Sequence, residues 1–441
     1  MSDAPTRAAG EFEQATYRKV TRRIVPFLFL CYLLAYINRV AVSFAKLQMQ
    51  SDLRMSDAVY GLGAGIFFIG YFFFEIPANM MMRKLGARRW LGPIMIVWGL
   101  VSVATMYVRG ASSYYAARFL LGVVESGFFP GVILYLTFWY TRTHRAKMVS
   151  AFMTAIPFSG VVAGPISGWI MGRMTGLAGL TSWQWLFVAD GVPSILAGIV
   201  TLFYLPDGPV ESSWLTAEEK SLVLSRLEEE ESLKKEGGGG HHRIADLFRS
   251  RNVWLMCAIY FGIVMGSYGL GFWMPQLIKD AITKDPLKIG WITVIPWGFA
   301  TLAMIAMGHH SDIRAERRWH IAASLFVGAG AFLASAIPGM PGWFGILALA
   351  LAAAGILCAN SIFWALPTGL LSGAAAAAGI AWINSVGNLA GYVSPFVVGE
   401  IRDRTHSMVL ALFVLSAAAL LGGAVTLYVT RTRPGAADRA R

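Results

Sequence analysis

Residues 118–140 read RFLLGVVESGFFPGVILYLTFWY. The run is largely apolar, its only charges are Arg118 and Glu125, and it exceeds the roughly 20 residues that a bilayer span requires. A charge at mid-bilayer depth is costly, so such residues face a water-filled cavity and act there. Arg39 lies halfway along the first apolar stretch of the chain. Two cations and one acid in one half of a membrane protein point to a pathway for an anion, with the acid as a proton site. Arg118 and Glu125 are two helical turns apart, roughly 10 Å along one face. A proton-coupling pair and a buried structural ion bridge both fit that spacing. Burial disfavours an ionised carboxylate and a neighbouring guanidinium favours it. A site poised between those effects takes and releases a proton as access alternates.

Composition agrees with a multi-span membrane protein. Of 441 residues, 56% are hydrophobic and 14% charged, against about 25% charged in a soluble chain. The fold class expected is all-α, with spans near 24–45, 58–82, 90–108, 112–140, 146–172, 184–205, 253–278, 288–308, 319–338, 342–371, 375–399 and 408–430. A polar stretch, 206–252, divides them six and six. It contains LTAEEKSLVLSRLEEEE, a charged helix opened by a capping box from Thr216 to Glu219, and then the flexible run GGGGHH. The expected organisation is an N-terminal tail (1–23), a six-helix bundle (24–205), the linker (206–252), a second bundle (253–430) and a C-terminal tail (431–441).

The two halves read as copies. RRW at 88–90 recurs at 317–319, 229 residues on. The same offset carries the first span onto the seventh and lays the fifth span, with GVVAGPISG, over the eleventh, with GNLAGYVSP two residues out of step. Parallel repeats with a site between them are the architecture of rocking transporters. Arg and Lys number 26 on the side of the termini and the long loop, against 9 on the other. The positive-inside rule puts that side in the cytoplasm. The net charge of +12 therefore reads as topology, not nucleic-acid binding. Cys31, Cys257 and Cys358 lie in apolar spans as small core residues. The histidines sit in loops or near span ends, so no metal site is expected. No phosphate-binding or nucleophile motif occurs, no cofactor is expected, and the N-terminus lacks the apolar core of a signal peptide.

The loops after the second and eighth spans, NMMMRKLGARRW and GHHSDIRAERRWH, resemble the inter-helix signature of the major facilitator superfamily. The second copy keeps Gly308 and Asp312. The first has Asn79 and Arg83 where Gly and Asp would stand, and keeps Gly86, Arg88 and Arg89. A gate built from Arg83, Arg88, Arg89, Asp312, Arg317 and Arg318 fits this resemblance, and so does a basic loop that only fixes topology. YINRVAVSFAKLQM, the 118–140 run, GHHSDIRAERRWH and WALPTGLLSGAAAAAGIAWINSVGNLAGYVSPFVVG are together similar to the anion:cation symporter family. That family includes bacterial permeases for tartrate, galactonate, phthalate and hydroxyphenylacetate.

The resemblance implies two six-helix bundles around a central cavity and proton-coupled uptake of a hydroxy-, sugar- or aromatic acid. It implies a multi-pass protein of the bacterial inner membrane, with lipid, a small organic anion and protons as its partners and a monomer as the working unit. It assigns proton coupling to Glu125, with Arg118 beside it, and the substrate carboxylate to Arg39. A guanidinium suits a carboxylate because its fork donates two parallel hydrogen bonds. Asn38 departs from the family's usual Asp-Arg pair. An amide does not titrate, so either coupling runs through Glu125 alone or the position was altered to hold one state. Tyr36, Tyr71, Ser361, Trp364 and Asn384 match positions that line the substrate site in sugar-acid members. Tyr260 and Asn388 are further polar groups within spans. Each of these also fits an interhelical hydrogen bond or aromatic packing. An anion exchanger is the alternative within transport, and a transporter-like anion sensor the alternative outside it.

Overall fold

The computed structural model describes residues 3–236, 250–370 and 373–431. The GGGGHH run and the chain beyond 431 lie outside the described residues. The first half is built from α1 (Asp3–Asp52), α2 (Asp57–Leu85), α3 (Ala87–Ala104), α4 (Ala111–Glu125), α5 (Phe128–Thr137), α6 (Arg142–Met153), α7 (Ala155–Arg173) and α8 (Ser182–Tyr204). The linker holds α9 (Ala217–Glu236). The second half comprises α10 (Arg251–Ala281), α11 (Pro286–Arg314), α12 (Arg318–Ser335), α13 (Gly342–Phe363), α14 (Ala365–Leu370), α15 (Gly373–Asn388), α16 (Ala390–Thr405) and α17 (Val409–Arg431).

Among the described residues, ten helical stretches are long and apolar enough to cross a membrane. The expected ninth and eleventh spans are not among the ten. The ninth is α12, only 18 residues long and opening on Arg318, Trp319 and His320, which lower its hydropathy. The eleventh is divided between α15 and α16. The polar N-terminus is helical: α1 runs unbroken from Asp3 through the first span. The capping box of α9 forms, with Thr216 N–H donating to Glu219 Oε2 at 2.8 Å and Glu219 N–H to Thr216 Oγ1 at 3.2 Å. Lys19–Glu219 and Arg226–Glu13 pairs, each 2.7 Å, fasten α9 to the N-terminal turns of α1.

Three expected spans break in mid-course for one local reason. The second segment of each, α5, α7 and α14, carries a proline at its third residue: Pro130, Pro157 and Pro367. Proline has no N–H to give the carbonyl four residues back, and its ring clashes with it. The breaks at Ser126–Gly127, Thr154 and Trp364 fall at or next to those carbonyls. In the first turn of a new helix the missing N–H costs nothing.

The halves meet through α2 on α16 and α7 on α11, and glycines allow the approach. A Cβ at Gly61 would lie 2.2 Å from Pro395 O, and one at Gly290 2.3 Å from Gly164 O. Gly61 and Gly290 are themselves one repeat offset apart, so duplicated positions make equivalent cross-half contacts.

Among the described residues, the charged contacts that close the halves together lie at the end opposite the termini. There Asp403 of α16 accepts from the Asp57 and Ala58 N–H groups at 2.8 and 2.7 Å, capping α2 from the other half. Lys46 pairs with Asp57 at 2.8 Å and donates to Gln276 across the halves at 2.9 Å. Arg402 pairs with Asp280 at 2.8 Å and reaches Asp57 at 3.5 Å. Hydrogen bonds to an ionised group contribute about 1.5–3 kcal/mol each, and a carboxylate on a helix N-terminus gains from the dipole. Asp403→Ala should therefore loosen this end and shift the equilibrium toward the state open there. Labelling Val40→Cys, which lines the cavity, with an impermeant thiol reagent from that face should quicken by about tenfold or more. The three native cysteines would first be replaced. An unchanged labelling rate would show that Asp403 does not hold the closed end.

Candidate binding cavity

A cavity of about 830 Å³ lies between the halves. Tyr36 and Arg39 from α1 and Tyr71 from α2 line it on one side. Tyr260, Ser361, Trp364, Asn384 and Asn388 line it on the other. The second half thus supplies its polar groups from α10, α13, α15 and the α13–α14 break, where Trp364 sits. Asn388 ends α15 and Glu125 ends α4. Discontinuous helices commonly build transporter sites at membrane depth, because the freed backbone faces a cavity instead of lipid.

Arg39 is the centre of the arrangement. Its guanidinium lies 4.9 Å from the Tyr36 ring centroid, 4.8 Å from Phe67 and 5.7 Å from Tyr71. Such rings attract a cation through their negative faces. Arg39 Nη2 donates to Glu125 Oε2 at 2.8 Å, with the arginine side chain 12% exposed and the glutamate 1%. Nη1 makes a long bond of 3.4 Å to Tyr268 Oη. Nε has no partner among the described residues. A fork with one arm engaged and the other nearly free retains donors for a second carboxylate.

Arg118 and Glu125 share the buried face of α4 with Tyr114, Leu121 and Gly122, yet they do not pair directly among the described contacts. None of the three Arg118 guanidinium nitrogens has a hydrogen-bond partner among the described residues, and neither has Glu125 Oε1. Instead the Phe67 ring lies 5.1 Å from the Arg118 guanidinium as well as 4.8 Å from that of Arg39. Neither Arg118 nor Glu125 lines the cavity; Arg39, which bonds Glu125, does.

Asn38 also faces away from the cavity. It is buried and donates to Ser102 Oγ at 2.6 Å, and Ser102 in turn donates to Phe187 O at 3.3 Å. Of the loop residues, Arg317 pairs with Asp312 at 2.5 Å and donates to Ser311 Oγ at 2.7 Å, all within one half. Arg88 N–H donates to Asp207 Oδ1 at 2.7 Å. Arg318 lies over Trp319, its own neighbour. Arg89 is exposed, and the Arg83 side chain lies outside the described residues. Among the described residues no ion pair joins the two halves at this end.

The cavity has lining residues that the sequence reading did not select: Tyr32, Phe68, Arg145, Tyr268, Trp297 and Asn360. Tyr268 had a signal. It lies 229 residues from Arg39, the repeat offset, so the two are duplicated positions facing each other across the pseudo-twofold. Asn360 precedes Ser361 in the same polar pair. The others are aromatic or basic residues whose cavity face only tertiary packing reveals.

The Major Facilitator Superfamily profile matches residues 28–395. A protein of Agrobacterium vitis provisionally named a tartrate transporter is 42% identical, over 97% of this chain and 94% of that protein. A protein of Pseudomonas putida provisionally named the metabolite transport protein NicT is also 42% identical, over 92% and 93%. A bacterial homologue of the human lysosomal transporter Spinster, solved in an inward-facing and occupied conformation, superposes with a TM-score of 0.75. It is 14% identical and covers 93% of this chain and 97% of its own.

Proposed function

The chain belongs to the Major Facilitator Superfamily, and from that premise we propose that it takes up a small organic carboxylate by proton-coupled symport with alternating access. It is a transporter and not an enzyme. The observation that carries the reading is the Arg39–Glu125 pair at the cavity wall. Two carboxylates, one from the protein and one from the substrate, compete for one guanidinium. A proton on Glu125 frees Arg39 for the anion, so proton and anion favour each other's binding, as linkage requires. Arg118 keeps the local charge positive while Glu125 is ionised, and Tyr36, Tyr71, Tyr260, Ser361, Trp364, Asn384 and Asn388 shape the space around the anion. The names of the relatives, tartrate and metabolite transport, agree with a small organic anion.

The basic loops support a cytoplasmic location for both termini and the linker, in a bacterial inner membrane; since one chain encloses the cavity from both halves, the working unit proposed is a monomer. The cavity then opens inward and the Asp403–Asp57 end is the outer gate. Arg83, Arg88, Arg89, Asp312, Arg317 and Arg318 would close the inner end in the opposite state. With the inside negative, about 2.3 kcal/mol per charge per 100 mV opposes anion entry, and co-transported protons offset it. Exchange is the second reading. It is favoured by Asn38, which is buried, bonded to Ser102 and unable to titrate.

Counterflow in proteoliposomes with hydroxy-, sugar- and aromatic acids tests the carboxylate, and an imposed pH gradient tests the coupling. Accumulation above equilibrium with acid outside is the expected result. Counterflow without accumulation would leave exchange. Binding without counterflow would leave a sensor.

A further inference from the structure

Resting on the reading that Arg39 receives a carboxylate, we propose that this carboxylate belongs to an aryl acid whose ring carries a hydrogen-bond donor, and not to a polyhydroxy diacid. Three independent features of the cavity lead there.

The walls are rings from both halves. Phe68 lies 4.4 Å from Tyr268, and Tyr260 lies 4.8 Å from Trp364, centroid to centroid, and all four side chains line the same space. A flat ring fits between such walls by stacking or edge contact. A polyhydroxy aliphatic acid offers those walls no flat face, and each of its hydroxyl groups that lies against a ring loses its water without replacement.

The cations count against a diacid. Arg39 and Arg145 are the guanidinium groups on the described lining. Arg145 is on α6, next to the loop at the termini end, and Arg39 is already shared with Glu125. Arg118 and Lys46 are buried outside the cavity. The inner space therefore offers one cation for one carboxylate.

The polar groups of the second half need a donor. Asn360 Oδ1 is buried and has no donor among the described residues. Ser361 Oγ already gives its hydrogen to Cys358 O at 2.9 Å, which leaves it as an acceptor. An ionised carboxylate has no hydrogen to offer them. A ring hydroxyl or ring N–H does.

The test uses the full-length protein in nanodiscs, with benzoate, the three hydroxybenzoates, benzyl alcohol and L-tartrate as probes read by calorimetry and by uptake into proteoliposomes. At least one hydroxybenzoate should bind about tenfold tighter than benzoate and tighter still than tartrate, the preference a site with unpaired acceptors gives. Asn360→Ala should narrow the preference for that hydroxybenzoate over benzoate to within about twofold. The wild-type comparison stands even where Asn360→Ala fails to fold. Tartrate binding as tightly as every aryl acid would overturn the aryl class and leave a carboxylate carrier standing. Benzyl alcohol binding as tightly as benzoate would overturn the anion reading itself. An unchanged preference in folded Asn360→Ala would overturn the role of the ring donor.

Discussion

Glu125→Gln should abolish proton-driven accumulation while leaving exchange in place. The substitution keeps the side chain's size and an acceptor for Arg39, and removes the carboxylate charge that pairs with Arg39 and lies on the same helix face as Arg118. It mimics the protonated carboxyl, so the fork of Arg39 is permanently available to the substrate. Anion affinity should then equal or exceed that of the unaltered protein and lose its pH dependence. The concentration ratio reached under an acid-outside gradient should fall to about one. Stability should report the same event: breaking a buried pair leaves an uncompensated charge at a cost of about 3–5 kcal/mol. A bound anion replaces the missing countercharge, so the substrate-induced rise in melting temperature should be larger in Glu125→Gln than in the unaltered protein. A Glu125→Gln protein that still concentrates substrate under the gradient would return the Arg39–Glu125 pair to a structural role.

The architecture was legible because a bilayer demands about 20 apolar residues at a time and the chain repeats itself. Twelve spans, the six-plus-six division and the 229-residue offset follow from that, and the Gly61 and Gly290 contacts make the repeat physical. Two spans fell short in apolar length because their ends carry Arg318 and His320 in one and a helix break in the other. The breaks had a sign in the sequence, the prolines at 130, 157 and 367. A proline in an apolar run reads equally as a kink, and only the backbone shows a new helix beginning.

The partner of Glu125 was not legible. Sequence spacing reports neighbours on one helix, and seven residues put Arg118 on the right face. Arg39 reaches Glu125 from another helix, 86 positions away, and no local pattern carries that. Asn38 is a different case. At 3.6 residues per turn, successive side chains point about 100° apart, so Asn38 and Arg39 do not share a direction. With Arg39 on the cavity, Asn38 turns to α3. The closed end was missed because Lys46, Asp57, Arg402 and Asp403 sit at span ends, where charge reads as membrane anchoring.

Arg39→Lys should weaken anion binding by about tenfold to a hundredfold, the loss of 1.5–3 kcal/mol expected when a charge-assisted bond goes. Charge is conserved, so the effect isolates geometry. Arg39 bonds Glu125 through Nη2 and directs Nη1 to Tyr268, with Nε unpartnered. Its planar fork spans the two carboxylates it must serve in turn. An ammonium is a point charge on a flexible stem. Beside a buried glutamate at 1% exposure it would settle on Glu125 and leave the substrate without a donor. The combination with Glu125→Gln separates this account from simple damage to the fold. If lysine fails because Glu125 captures it, neutralising Glu125 should release it, and the double variant should bind the anion more tightly than Arg39→Lys alone. Independent effects would add instead, and the double variant would gain over Arg39→Lys only the factor that Glu125→Gln gains over the unaltered protein. Calorimetry on the four proteins decides, with melting temperatures showing that each is folded. Near-normal affinity in Arg39→Lys would remove the guanidinium from the binding site, and the competition between Glu125 and the substrate would go with it.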